Sequence, residues 1–358
     1  MRYKVCVYAI SKNEEKNVTD WVKSMSEADE IYVMDTGSTD NTVKLLKGLG
    51  VNVKTKIIDP WRFDKARNES LNMVPQDTDI CVCTDLDERF ESGWREKLEN
   101  IWNENINRVS YYYNWSFDKY GKPATSFYIN KIHSRKDYIW VNAVHEILKN
   151  INNNECQVVS NNIVLNHYQD LDKNRNSYLK LLELSVKEDP NNDRNVHYLG
   201  REYMYYKKWN KSIDTLIKHL NMNTSTWKDE RCASMRYISR CYINLKRYDE
   251  AEMWLKKAID ESPYLREPFY ELGYLYYILN KFNLSKKYLL KCLRIKEKSK
   301  SYLNEFFCWD GTIEDILSIC EFNLGNYSSS LKYAKKALKY KPNDERIKEN
   351  IEKIKNFL

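Results

Sequence analysis

The chain has no Cys-x-x-Cys pair, no stripe of like charge, and no apolar run near the roughly 18 residues a membrane helix requires. Its nine cysteines are an odd number without metal-ligand spacing. A disulfide framework and a zinc site are therefore both unsupported, and a reducing compartment, the cytoplasm, is expected. The opening "MRYKVCVYAISKNEE" holds too short an apolar run for a secretion signal. The net charge of +7 is modest, and Lys alternates with Asp and Glu along the chain, which argues against a nucleic-acid partner. No amphipathic membrane helix or polybasic anchor stands out.

What is present suffices for two domains with a substantial core: 358 residues, 42% of them hydrophobic and 30% charged. Up to about Asp170, short strands alternate with helices. Strands are expected at 3–10, 30–36, 51–58 and 79–85, with helices beginning at Glu14, at Asn41 and around Ala66. This grammar predicts a largely parallel sheet covered on both faces. Cys81 and Cys83, two apart on the fourth strand, are expected to face the same way as small core residues. From Arg108 to Tyr168 the pattern turns to strands, at 108–117, 126–133, 138–148 and 156–168, with a hairpin loop at Asn152 to Asn154.

After Asp170 a repeat appears. The segments "YLGREYMYYKKW", "YISRCYINLKRY", "ELGYLYYILNKF" and "ILSICEFNLGNY" align on their final aromatics, Trp209, Tyr248, Phe282 and Tyr327. They resemble the tetratricopeptide repeat, a helix–turn–helix unit of about 34 residues whose arrays offer concave surfaces to peptides and proteins. Insertions are expected near 221–228 and 298–309. His197 and His219 fall inside repeat helices and are expected to be packing or surface residues.

In a parallel sheet with helices on both faces, ligands bind outside the carboxyl ends of the strands. Those ends carry "SKNEEKNV", "DTGSTDNT", "DPWRFDKARNES" and "TDLDER". Together they bring Asn13, Glu14, Asp35, Ser38, Asp40, Asp64, Arg67, Asn68, Asp85, Asp87 and Glu88 to one crevice. Three carboxylates in "TDLDER" repel one another unless something cationic holds them. A divalent cation with hard oxygen ligands, Mn²⁺ or Mg²⁺, does this. Glu88 is expected to be solvated or to lie behind the metal ligands. Trp61, Trp115 and Trp140, near the crevice, could stack on a ligand but are more often core residues. His133, with Arg135 nearby, could touch phosphate, although a surface position is the expectation.

The ordered set resembles family-2 glycosyltransferases with the GT-A nucleotide-sugar fold, closely over residues 1 to about 100 and more loosely to Asp170. The fold class implied is α/β: a GT-A, Rossmann-like domain over 1–171, then an all-α tetratricopeptide-like domain over 172–358. The resemblance implies that Asp35 hydrogen-bonds the base, usually uracil, beside Glu14, and that Arg67 lies against base or diphosphate. It also implies that Asp85 reaches the ribose or donor sugar and that Asp87 binds the cation. Asn13, Ser38, Asp64 and Asn68 join this donor set, and His167 is the second metal candidate. Transfer with inversion needs a base. Glu146 is the candidate, as in the His-Glu pair of bacterial relatives, with His145 and Glu88 as rivals.

The architecture resembles the peptide glycosyltransferases that modify bacteriocin precursors of the sublancin type. The expected partners are a UDP-sugar, with UDP-glucose or UDP-N-acetylglucosamine foremost, and a peptide or protein accepting through Cys, Ser or Thr. The repeats also allow a homodimer. Alternatives are a saccharide acceptor in surface polysaccharide synthesis and a binding scaffold with an inactive transferase domain. A nucleotidyltransferase would use an early Gly-rich phosphate loop, and "TGST" offers only one Gly.

Overall fold

The computed structural model describes residues 3–169 and 178–358. The chain divides into two compact units, Met1–Ser185 and Val186–Leu358. The boundary expected at 171/172 falls among residues 170–177, outside the described residues.

In the first unit, strands β1 (Val5–Ser11), β2 (Glu30–Asp35), β3 (Asn52–Thr55) and β4 (Ile80–Cys83) run parallel in the order β3-β2-β1-β4. They alternate with helices α1 (Val18–Met25), α2 (Thr42–Gly48) and α3 (Phe63–Leu71). Successive residues of β1 enter two different cores. Val5, Val7 and Ala9 join Trp21, Met25, Ile80 and Val82 on one face. Cys6 and Tyr8 join Cys81, Cys83, Leu71 and Trp140 on the other. Both faces are dry, which is why these strands read as near-continuous apolar runs. Cys81 and Cys83 do share one face.

The sheet continues with β5 (Glu88–Phe90), helix α4 (Trp94–Glu99), β6 (Arg108–Phe117), β7 (Pro123–Ser134) and β10 (Gln157–His167). The full order is β3-β2-β1-β4-β7-β6-β10-β5. The sheet is more mixed than expected: β7 is antiparallel to both β4 and β6, and β5 is antiparallel to β10. The five residues 118–122 between β6 and β7 are too few for a crossover, so that pair must be antiparallel. The single strand expected over 138–148 is two, β8 (Tyr138–Val141) and β9 (Ile147–Asn150), paired antiparallel in a sheet of their own. The chain reverses between them with positive φ at Asn142 and His145. Asn152 to Asn154 form a turn, but no hairpin, because β9 and β10 belong to different sheets.

The second unit begins within helix α5 (Tyr178–Glu188) and continues as antiparallel helix pairs. These are α6 (Asp193–Tyr205) with α7 (Trp209–Leu220), α8 (Lys228–Asn244) with α9 (Tyr248–Glu261), α10 (Arg266–Ile278) with α11 (Phe282–Arg294), and α12 (Thr312–Asn323) with α13 (Tyr327–Tyr340). Helix α14 (Glu345–Lys355) closes the series. Each second helix starts on the aligned aromatic. Two residues earlier the backbone takes positive φ in all four turns, at Lys207, Lys246, Asn280 and Gly325. One turn geometry thus repeats four times. The expected insertions are the connection between α7 and α8 and the longer one between α11 and α12, which holds a 3₁₀ turn at Phe306–Cys308.

Within the pairs, small residues set the approach. A Cβ on Gly200 would lie 2.5 Å from the Leu216 side chain, and one on Gly273 would lie 2.8 Å from Leu289. At the matching positions Ser239 and Ser318 donate to the facing carbonyls of Ala251 and Ser330, each at 3.0 Å. Alanine normally gains about 0.5–1 kcal/mol over glycine inside a helix. Overpacking here costs about 1–3 kcal/mol, so Gly200→Ala is expected to destabilise on balance. Urea unfolding checks this, and a gain in stability would mean that Leu216 moves aside freely.

His197 and His219 are packing residues and not surface ones: both are fully buried. Among the described residues, no helix is long and apolar enough to cross a membrane.

Candidate active site

The carboxyl ends of β1 and β2 are tied together by side chains. Asp35, fully buried, accepts from Ser11 Oγ at 3.1 Å and from the Gly37 and Ser38 amides at 3.0 Å, and the Ser38 hydroxyl also bonds to it. Asn13, at φ 55, donates its amide to Ser38 Oγ and accepts from the Thr39 amide, each at 2.8 Å. The Glu14 amide donates to Thr42 Oγ1 at 2.8 Å, and the Glu14 carboxylate accepts from Asn17 at 2.8 Å. Asp35, Asn13 and Ser38 therefore hold two loops in one fixed arrangement. Asp40 acts at the start of α2, accepting from the Thr42 amide at 3.0 Å and its hydroxyl at 2.6 Å. Burial opposes the charge on Asp40, but the Thr42 bonds outweigh it and hold the carboxyl below its ordinary range.

At the start of α3, Asp64 is gripped by two nitrogens of Arg62, at 3.0 and 2.8 Å. Asn68 pairs both ends of its amide with the backbone of Trp140, at 2.9 Å each way. That bond fastens α3 to β8. Arg67 is 3% exposed, and each of its three guanidinium nitrogens donates a hydrogen bond. Its Nε donates to Glu146 Oε1 at 2.9 Å and its Nη2 to Asp85 Oδ1 at 2.6 Å, and it lies over the Trp140 ring at 5.3 Å. Arg67 thus connects the strand-end carboxylate with the turn that carries Glu146.

After β4 the chain turns sharply, and Arg89 braces the turn by donating to the Leu86, Glu88 and Asn17 carbonyls. Asp85 is bonded by Arg67 and by Lys131 Nζ at 3.1 Å. Burial works against its charge, but the two cations more than offset that and keep it well below the carboxylate range. Glu88 is not solvated: it is 1% exposed. It accepts from Tyr113 OH at 2.8 Å and from the Asp85 amide at 2.8 Å, with Lys131 at 3.5 Å. Burial pushes its carboxyl up, against the pull of Lys131. Part of the cation that "TDLDER" demanded is therefore protein: Arg67 and Lys131 neutralise Asp85 and Glu88.

Asp87 has a different partner. Its Oδ2 lies 3.5 Å from His167 Nε2, and its carbonyl accepts from the Tyr168 amide at 2.8 Å. His167 Nδ1 bonds to the Trp115 carbonyl at 3.0 Å, and its ring stacks on Trp115 with centroids 4.6 Å apart. A ring whose Nδ1–H is fixed on a carbonyl presents the Nε2 lone pair to a cation, the usual support of a histidine metal ligand. One carboxylate and one such nitrogen side by side fit a divalent cation that takes its remaining oxygens from a diphosphate.

Several expected residues lie elsewhere. His133 is fully buried, not at the surface: Tyr8 OH donates to its Nε2 at 2.8 Å, and its Nδ1 donates to the Ser134 carbonyl at 2.7 Å. Burial pushes it down to about 3. Trp140 is a core residue that donates to Tyr8 OH at 2.8 Å. Trp61 meets Phe63 edge-on. His145 lies beside Tyr178, with ring centroids 6.0 Å apart. Arg62, Tyr113 and Lys131 were not anticipated. Lys131 alone left a trace in the sequence, as a cation in mid-strand between Asn130 and Ile132.

With Arg67 buried between two acids, its loss is expected to cost about 3–5 kcal/mol, the scale for stranding a buried charge. Arg67→Met should lower the urea midpoint accordingly. A stability loss under about 1 kcal/mol would show that Asp85 and Glu146 find other partners.

The model of the glycosyl transferase family 2 matches residues 6–146, and that of the tetratricopeptide repeat matches residues 238–264 and 267–299. An uncharacterised glycosyltransferase of Rickettsia typhi is 31% identical over 102 residues, 27% of this chain and 32% of that protein. The SPbeta prophage-derived glycosyltransferase SunS of Bacillus subtilis is 24% identical over 270 residues, 71% of this chain and 62% of that protein. The chain thus spans less than two thirds of either relative. Among solved structures, a crystal structure of MamA is similar at 20% identity and a TM-score of 0.39, over 50% of this chain and 99% of that one. The chain carries a glycosyltransferase domain of family 2, at residues 6–146, joined to tetratricopeptide repeats.

Proposed function

We propose that the chain is a metal-dependent, inverting glycosyltransferase that moves a hexose from a UDP-sugar to a Cys, Ser or Thr side chain of a peptide or protein. The observation that carries this reading is the Asp87–His167 pair at 3.5 Å, set beside the braced Asp85 turn at the mouth of the sheet. Asp87 and His167 would hold Mn²⁺ or Mg²⁺, whose positive charge stabilises the diphosphate as it leaves. The loops built on Asn13, Asp35 and Ser38 would receive the nucleotide, with Glu14 and Asp85 beside it. Arg67, buried and fully engaged, is better suited to positioning Asp85 and Glu146 than to touching the diphosphate. Asp64 and Asn68 support the same assembly through Arg62 and Trp140.

In the transfer, the acceptor sulfur or oxygen forms a bond to the anomeric carbon while the carbon–oxygen bond to the β-phosphate breaks. Glu146 takes the acceptor proton and UDP departs. The repeats would hold the acceptor chain, a use consistent with such arrays. The cytoplasm is the setting in which a nucleotide sugar and free thiols coexist. Removing residues 189–358, which leaves the first unit and helix α5 whole, tests the acceptor reading: the acceptor KM should rise far more than the donor KM. Unchanged acceptor kinetics in a folded truncated chain would take that role from the repeats.

A further inference from the structure

We propose that His197, His219 and Glu230 form a buried zinc site inside the helical unit, one metal binding α6, α7 and α8 together. One ring nitrogen from each histidine and one Glu230 oxygen lie within 4.8 Å of one another. They come from three helices, and no sequence spacing would reveal them.

The hydrogen bonds around them leave one lone pair over. Tyr302 OH donates to Glu230 Oε2 at 2.9 Å, while Glu230 Oε1 faces His219 Nε2 at 3.3 Å. With Glu230 ionised, that Nε2 carries the proton, so His219 Nδ1 must accept the Ser234 hydroxyl at 2.9 Å. Ser234 Oγ in turn accepts His197 Nδ1–H at 2.8 Å. His197 Nε2 is then a bare lone pair, fully buried and with no hydrogen-bond partner. A buried acceptor left unmatched has lost its hydration with nothing in return, so it calls for an explanation.

A metal supplies one. When both Nδ1–H groups donate to Ser234 Oγ, both Nε2 atoms become ligands, and Ser234 and Tyr302 orient the set from behind. The separation of 3.3 Å between His219 Nε2 and Glu230 Oε1 already suits two ligands of one tetrahedral ion, whose bonds are about 2.0–2.2 Å long. The third ligand atom lies within 4.8 Å of the other two and has to close to the spacing that such an ion sets. Ser225 Oγ, 3.0 Å from His219 Nε2, is at hand for the fourth position. Two imidazoles and one carboxylate favour Zn²⁺ over the oxygen-seeking Mg²⁺, so this ion is distinct from the one at the diphosphate. Tyr302 belongs to the connection between α11 and α12, so the same site also tethers that insertion to α8.

The test uses the full chain carrying His167→Ala, which removes the other candidate metal ligand, stripped with chelator and titrated with Zn²⁺ by calorimetry. One Zn²⁺ per chain is expected, with a rise in Tm on binding. Glu230→Gln and His197→Ala should each weaken binding by at least about 10–100-fold, the loss seen even when only a supporting residue is removed. Tyr302→Phe should fall in that range and keep the fold. Should the histidine variant not fold, Co²⁺ in the parent protein provides the second readout: the intense visible absorption of a tetrahedral site, absent in Glu230→Gln. No uptake by the parent chain, or uptake unchanged in Glu230→Gln and Tyr302→Phe, would overturn the proposal.

Discussion

Asp87→Asn is expected to abolish turnover while leaving the protein folded. Asparagine keeps the shape of the side chain and removes its charge. The backbone bond from the Tyr168 amide to the Asp87 carbonyl, at 2.8 Å, does not depend on that charge, so the β5–β10 edge should stay in place. What goes is the charge of the carboxylate beside His167 Nε2, at 3.5 Å. Loss of one charge-stabilising contact typically costs about 10²–10³-fold in rate, and more is expected here because the proposed cation would lose a ligand charge. Nucleotide binding should lose its metal dependence in the same variant, as read by calorimetry with and without Mn²⁺. Wild-type turnover in Asp87→Asn would remove this residue from any metal site.

Glu146→Gln is expected to stop transfer by a different route. The amide oxygen can still accept from Arg67 Nε, now at 2.9 Å, so the link from Arg67 to the β8–β9 turn survives. The group proposed to take the acceptor proton does not. A fall in kcat of about 10²–10⁴-fold with unchanged donor binding is the expected result. Donor binding lost along with transfer would make Glu146 a structural or donor-contacting residue, and His145 or Glu88 would then be examined as base. Because Glu88 is buried and bonded by Tyr113 and the Asp85 amide, it is the weaker rival.

The strand ends were legible because each places its polar residues directly after an apolar run, within a few positions of sequence. The repeats were legible because the turn recurs: Trp209, Tyr248, Phe282 and Tyr327 each follow a positive-φ residue by two. What stayed hidden was whatever the tertiary fold brings from afar. Lys131 reaches Asp85 across 46 residues and Tyr113 reaches Glu88 across 25, so no local pattern could pair them. The charge question posed by "TDLDER" consequently received only half its answer from the sequence, which suggested a metal and did not reveal two protein cations. Trp140 lies in the core, as expected of it, with its indole committed to Tyr8. The split of 138–148 into two strands was missed because its apolar residues run through the turn, and only the backbone at Asn142 and His145 shows the reversal.

A metal-assisted UDP-sugar transferase should hydrolyse its donor slowly when no acceptor is present. The most direct test is UDP release by the full chain from a panel of UDP-sugars, with Mn²⁺, with Mg²⁺ and with chelator. Slow hydrolysis of one donor, dependent on the metal and lost in Asp87→Asn, is the predicted result and would name the sugar. No release from any donor, together with no nucleotide binding by calorimetry under any metal, would contradict the claim and favour a repeat-based scaffold.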